Sequence, residues 1–176
     1  SLRLAFTLIA IGAVQFGAWL GRASRAVVAL SVVEGLASVA LLMPTPLAYY
    51  SPLVGGPAGA AKLGMEPTYY WDALDADALA WLRAETGEGR TIQFATFPTS
   101  WLHLRRTGAL PAKLAPIDPG TPQWYVLQNR PGAWNPWDRV LVERARPAYT
   151  ASRLGVPLVW VYPYEALAEA MREVRR

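Results

Sequence analysis

Cysteine is absent from the chain, which excludes disulfide frameworks, thiolate metal sites and cysteine nucleophiles. Histidine is nearly absent: His103 is the single imidazole, so a multi-histidine metal cluster is impossible and an imidazole-based dyad or triad has one candidate. A strong charge of one sign is also lacking. The formal net charge is +4, and only +2 of it falls after residue 43, too balanced for the basic stripe of a nucleic-acid binder. No Walker or dinucleotide-binding spacing occurs, so a soluble nucleotide is not suggested, and no cofactor is assigned. With 53% apolar and 17% charged residues, intrinsic disorder is excluded as well.

What is present divides sharply in composition at Met43-Pro44. Residues 1 to 43 carry only Arg3, Arg22, Arg25 and Glu34, against 26 charges in the remainder. Two apolar runs, 2 to 20 and 26 to 43, are each long enough to cross roughly 30 Å of hydrocarbon. A signal peptide has one shorter apolar region and no second span. Residues 1–43 therefore read as a transmembrane helical hairpin. The intervening GRASR is short and positive, which places the turn in the cytoplasm and residues 44–176 on the extracytoplasmic side of a membrane, in the first instance the plasma (inner) membrane.

Two spans make a thin anchor. Ala13, Gly17 and Gly21 form a small-xxx-small row suited to close helix approach, and Glu34 lies mid-span, where an ionised carboxylate costs about 2.5–3.5 kcal/mol or more. Both features imply further helices as partners, with Glu34 either a hydrogen-bonded packing residue or part of a lipid-phosphate or proton pathway. The first residue is Ser1 and the apolar run begins at once, so the chain reads as a fragment of a longer protein.

Residues 44–74 form a glycine- and aromatic-rich membrane-proximal loop. Tyr49, Tyr50, Tyr69, Tyr70 and Trp71 bracket a stretch containing Gly55, Gly56, Gly59 and Gly64, with Glu66 and Asp72 as its acidic groups. Amphipathic rings favour the membrane-water boundary, which makes an aromatic anchor one reading. The other is a loop over a membrane-level pocket, with Tyr49, Tyr50, Gly55, Gly56, Glu66, Tyr69, Tyr70, Trp71 and Asp72 as substrate-binding residues. No catalytic residue and no metal ligand is assigned.

The order of these motifs, a membrane helix, a proline, then PLAYYSPLVGGPAGA, then TYYWDAL opening a helix, resembles the C-terminal region of bacterial dolichyl-phosphate-mannose-protein mannosyltransferase-like enzymes. These are multi-span glycosyltransferases of family 39 with the class C membrane fold. The resemblance runs from about residue 26 to the C-terminus and is strongest at 46 to 74. It implies a polyprenyl-phosphate-linked sugar as donor and missing N-terminal transmembrane helices as partners in the same protein. It also implies that the catalytic acid lies in an early loop that this chain lacks, so the fragment alone is expected to be inactive.

Residues 75–176 read as an extracytoplasmic α/β domain, a mixed sheet with flanking helices. Asp75 caps a helix running to about Thr86; 91–97 alternates as a strand; SWLHLRRT is a short helix; the proline-rich 109–122 is a loop. A second strand covers 124–128, Asn135-Pro136 opens a helix, a hairpin turns about Gly155, and an amphipathic helix spans 164–175. The basic group around His103 is either an anion contact or a solvated face, and Trp134 and Trp137 either stack on a sugar or pack internally. Two functions follow from different classes: the C-terminal part of a membrane glycosyltransferase, or a non-catalytic membrane-anchored binding or interaction module.

Overall fold

The computed structural model describes residues 14–15, 21–43, 48, 50–68, 73–96, 98, 101–110, 113–115 and 117–176. The chain divides into two units, Ser1–Met43 and Pro44–Arg176.

In the first unit the described structure is essentially one helix, α1 (Arg22–Leu42). Its window Arg25–Leu42 is long and apolar enough to cross a membrane, and it is the one such helix among the described residues. The expected first span, 2 to 20, lies outside the described residues apart from Val14 and Gln15, which are helical. So do Ala13 and Gly17 of the small-residue row. GRASR is not wholly a turn: Gly21, at φ +59°, is the break, and residues 22–25 already belong to α1. That left-handed backbone stops the chain without a side-chain cap, so the helix begins four residues earlier than the charge pattern suggests. Val28, Leu30, Val33, Leu36 and Leu41 are exposed in the chain, and the helix has no polar face. Glu34 finds a partner within its own helix, accepting a hydrogen bond from Ser38 Oγ at 2.9 Å.

The second unit is built on a mixed five-stranded sheet. Its strands are β1 (Arg90–Phe94), β2 (Lys113–Leu114), β3 (Thr121–Gln128), β4 (Tyr149–Arg153) and β5 (Val156–Pro163), in the order β2-β1-β3-β5-β4. β1 runs parallel to both β2 and β3, whereas β5 is antiparallel to β3 and β4. The helices are α2 (Gly56–Lys62), α3 (Ala76–Glu85), α4 (Trp101–Arg106), α5 (Pro136–Arg144) and α6 (Tyr164–Val174).

The period-2 alternation of β3 divides its side chains between two cores. Val126 joins Ile92, Phe94, Val159 and Val161 beneath Ala78, Leu79 and Leu82 of α3. Tyr125 and Leu127 face the other way, with Tyr162, and meet Leu141 of α5 and Leu167 and Ala170 of α6. Leu167, Ala170 and Met171 recur at helical spacing, which gives α6 one apolar stripe. Each fully buried leucine contributes roughly 1.5–3 kcal/mol relative to exposure, so the paired layers, not any single bond, hold the sheet.

Several local expectations are met in kind and shifted in extent. Asp75 Oδ1 accepts from the Ala78 amide at 2.9 Å and caps α3 as anticipated. The region 109–122 is not all loop: it supplies β2 and the first residues of β3, including Pro122. Proline is tolerated there because the β1/β3 register shifts, Thr91 facing Pro122 and Ile92 facing Trp124, which bulges Gln123 out of the ladder. The freed Gln123 side chain ties down the end of α3, accepting from the Gly87 amide and donating to the Glu85 carbonyl, both at 2.9 Å. The hairpin turns at Leu154-Gly155, whose φ values of +48° and +78° are the two left-handed positions of a type I′ turn.

The second core contains a buried carboxylate. Asp138 is fully buried, and it accepts from Tyr125 Oη at 2.7 Å, from the Asn135 amide at 2.8 Å and from Asn135 Nδ2 at 3.1 Å. Burial first, then the hydrogen bond to Asp138 and its charge, push the Tyr125 phenol far above its ordinary range. Burial alone pushes Tyr162 up to about 12.

Two predictions follow. Thr91 is fully buried on β1 and its hydroxyl has no hydrogen-bond partner. Thr91→Val keeps the shape and removes that desolvated hydroxyl, and should raise stability by about 1 kcal/mol in urea unfolding. The second concerns alkaline pH. Tyr162 binds its proton more tightly folded than unfolded, so its contribution is complete below pH 10 and is lost as pH rises through about 12. Stability should fall by roughly 2–3 kcal/mol across that window on this account, with Tyr125 acting in the same direction, and Tyr162→Phe should flatten the fall.

Candidate functional site

Of the residues assigned to substrate binding, Tyr49, Tyr69, Tyr70, Trp71 and Asp72 lie outside the described residues. Tyr50, Gly55, Gly56 and Glu66 are described, and each has a definite local role.

The glycine-rich stretch is a folded turn, not an open loop. Ser51 Oγ accepts from the Leu53 amide at 3.3 Å and starts a 3-10 turn over Pro52–Val54. Gly55 at φ +83° and Gly56 at φ +63° then reverse the chain into α2, a left-handed pair that side chains rarely adopt. Gly59 is required by contact: a Cβ there would collide with the Val54 carbonyl. The stretch is helical where its glycines suggest a loop, because three of them serve a close backbone approach and the intervening Pro57, Ala58, Ala60 and Ala61 supply the helix. Ala60 is buried, and Ala61 packs against the core beneath α3.

Glu66 follows α2 and is engaged on both carboxylate oxygens. Oε2 meets Arg130 Nε at 3.1 Å, and Oε1 accepts from the Gly132 amide at 2.8 Å. Tyr50 Oη donates to the Glu66 carbonyl, closing the two ends of the 50–66 segment on each other. Two residues on, buried Thr68 Oγ1 accepts from Gln128 Nε2 at 3.2 Å. The segment 50–68 is thus fastened to the end of β3 and to the 129–135 connection that follows it. Gly132 is open to that fastening because it lacks a side chain; a Cβ there would run into Glu66 Oε1.

The 129–135 connection is itself fixed. Trp134 Nε1 donates to the Gln128 carbonyl at 2.8 Å, and its ring packs at 6.0 Å from Trp160. Trp134 and Trp137 both lie against the second core, so their rings are engaged internally in the described structure. Arg139 Nη2 reaches the Pro131 carbonyl at 3.3 Å. A second aromatic group, Trp81 with Trp124 at 5.0 Å and Tyr149 at 5.3 Å, lies on the α3 side of the sheet. Burial raises the Tyr149 phenol above its ordinary range, with the charges of Asp75 and Asp77 adding to the rise.

His103 is exposed on α4, and its neighbour Arg105 is committed to Asp118 at 3.2 Å and to the Trp101 ring at 5.9 Å. Among the described residues no group of three acidic or imidazole side chains is placed to hold a metal ion. Arg130, Gly132, Thr68 and Gln128 were absent from the sequence-derived set. Each sits about 60 or more residues from its partner in sequence, at no spacing that a motif would reveal. No known family, curated protein or solved structure matches this chain.

The contact between Glu66 and Gly132 yields a test of this fastening. Gly132→Ala should destabilise the protein by about 1–3 kcal/mol through overpacking. Most of that loss should disappear when the same change is made beside Glu66→Ala, which empties the space, so the two substitutions should be strongly non-additive in a double-mutant cycle of urea unfolding.

Proposed function

We propose that the chain is the C-terminal part of a membrane glycosyltransferase that takes its sugar from a polyprenyl-phosphate donor, with residues 2–20 and 26–43 as two spans and 44–176 outside the cytoplasm. The observation that carries this reading is α1: an exposed apolar helix of membrane-spanning length that ends at Leu42, immediately before the motif order resembling the family 39 enzymes. An apolar helix of this length, little buried among the described residues, suits lipid or other helices around it. In this reading the folded 50–68 segment supports the neighbouring Tyr69, Tyr70, Trp71 and Asp72, which meet the donor. Glu66 then acts through position, since its carboxylate is committed to Arg130 and Gly132.

A second reading, a non-catalytic anchored binding module, draws on that same commitment. Tyr50 and Glu66, the two described polar members of the assigned set, both make internal contacts that a purely structural segment would also make.

The lipid-donor reading requires opposite exposure of the two sides of α1. The chain has no native cysteine, so single thiols report without background. Ser24→Cys should label from the cytoplasmic face and Ser152→Cys, at an exposed position of β4, from the other. Cytoplasmic labelling of both thiols would remove the orientation on which an extracytoplasmic lipid donor depends.

A further inference from the structure

At the opposite end of β3 from the fastened segment lies a cleft that none of the foregoing uses. It has a volume of about 250 Å³ and is lined by Arg83, Thr86, Gly87, Glu88, Gly89, Arg90 and Lys113. Arg90 opens β1, Lys113 opens β2, and Arg90 is in register with Thr121, the first residue of β3. The 129–135 connection leaves the other end of that eight-residue strand, roughly 25 Å away at the usual rise. The two places are therefore separate.

Three cations face one carboxylate around this cleft. Arg83 is held in place by its Nη2, which donates to the Gly108 and Ala109 carbonyls at 3.0 and 3.2 Å. Among the described residues neither Arg83, Arg90 nor Lys113 forms an ion pair, and Glu88 forms none either. Gly89, at φ +71°, turns the loop between α3 and β1 so that the cleft floor carries no side chain at that point. Three cations and one carboxylate lining the same cleft leave it net positive, which favours an anion.

We propose that this cleft binds a small phosphate-bearing anion. The volume suits a small anionic group, being below the about 300–1,000 Å³ typical of drug-sized pockets. The number of donors excludes a lone carboxylate as the best fit: one guanidinium already satisfies a carboxylate's two oxygens, whereas two guanidinium groups and an ammonium match the several oxygens and higher charge of a phosphate or diphosphate. Glu88 opposes the anion and moderates its affinity. The same chemistry is offered by free inorganic phosphates and by the glycerophosphate headgroup of a lipid. The proposal stands independently of the glycosyltransferase reading.

Calorimetric titration of the full chain in detergent, at low ionic strength, with inorganic phosphate, pyrophosphate and sn-glycerol 3-phosphate separates these sources. One saturable site with a Kd of about 0.1–1 mM is expected. Preference for pyrophosphate assigns a free phosphate, and preference for glycerol 3-phosphate assigns a lipid headgroup. Arg90→Gln and Lys113→Gln should each weaken binding about tenfold, Glu88→Gln should strengthen it about threefold, and Arg90→Lys should stay within about threefold of the parent. All three side chains are at least partly exposed, and circular dichroism checks that each variant folds. Absence of saturable binding of all three anions up to about 10 mM would overturn the proposal. Unchanged affinity in folded Arg90→Gln and Lys113→Gln would do the same.

Discussion

The fastening of the 50–68 segment rests on a carboxylate far from it in sequence. Asp138 is sealed from solvent and survives there because Tyr125 and Asn135 between them give it three hydrogen bonds. Tyr125 lies within β3 and Asn135 at the start of α5, so this one group fixes the distance and angle between strand and helix. The connection in between, 129–135, has little freedom left. Glu66 and Thr68 therefore close on a surface that is already set, and removing either donor from Asp138 would disturb the seat before it disturbed the segment seated on it.

A consequence for function is that rigidity here comes in layers. The sheet orders the 129–135 connection, that connection holds Glu66, and Glu66 with Tyr50 closes the turn around α2. The same arrangement makes conservative changes at Glu66 ambiguous as probes of chemistry, because they loosen the support as well as any ligand contact.

Much of the second unit was legible in the sequence because its signals are local. Asp75 as a cap, Asn135-Pro136 as a helix start, the hairpin at Gly155 and the apolar stripe of α6 each depend on a few adjacent residues. The turn at 52–62 is not legible in the sequence, because glycine signals both freedom and close approach, and only the Val54 carbonyl against Gly59 distinguishes them. Pro122 within β3 was hidden by a bulge that depends on the register of a different strand. The partners of Glu66 were invisible for a plainer reason: Arg130 and Gly132 reach it through the sheet topology, and no spacing along the chain encodes that. The start of α1 was displaced because the charges of GRASR suggested a loop, whereas backbone geometry at Gly21 alone marks the boundary.

Among the described residues the sheet ends on one side in β4, a strand with one neighbour. Its register slips between Ala151 and Ser152, and the arginine at position 153 closes it. A kinked border carrying a cation is a poor template for another chain's strand, since the donors and acceptors along it are no longer evenly spaced. Many copies crowded together would thus meet without zipping into a continuous ribbon, and the opposite border, only two residues long in β2, offers too short a stretch to start one.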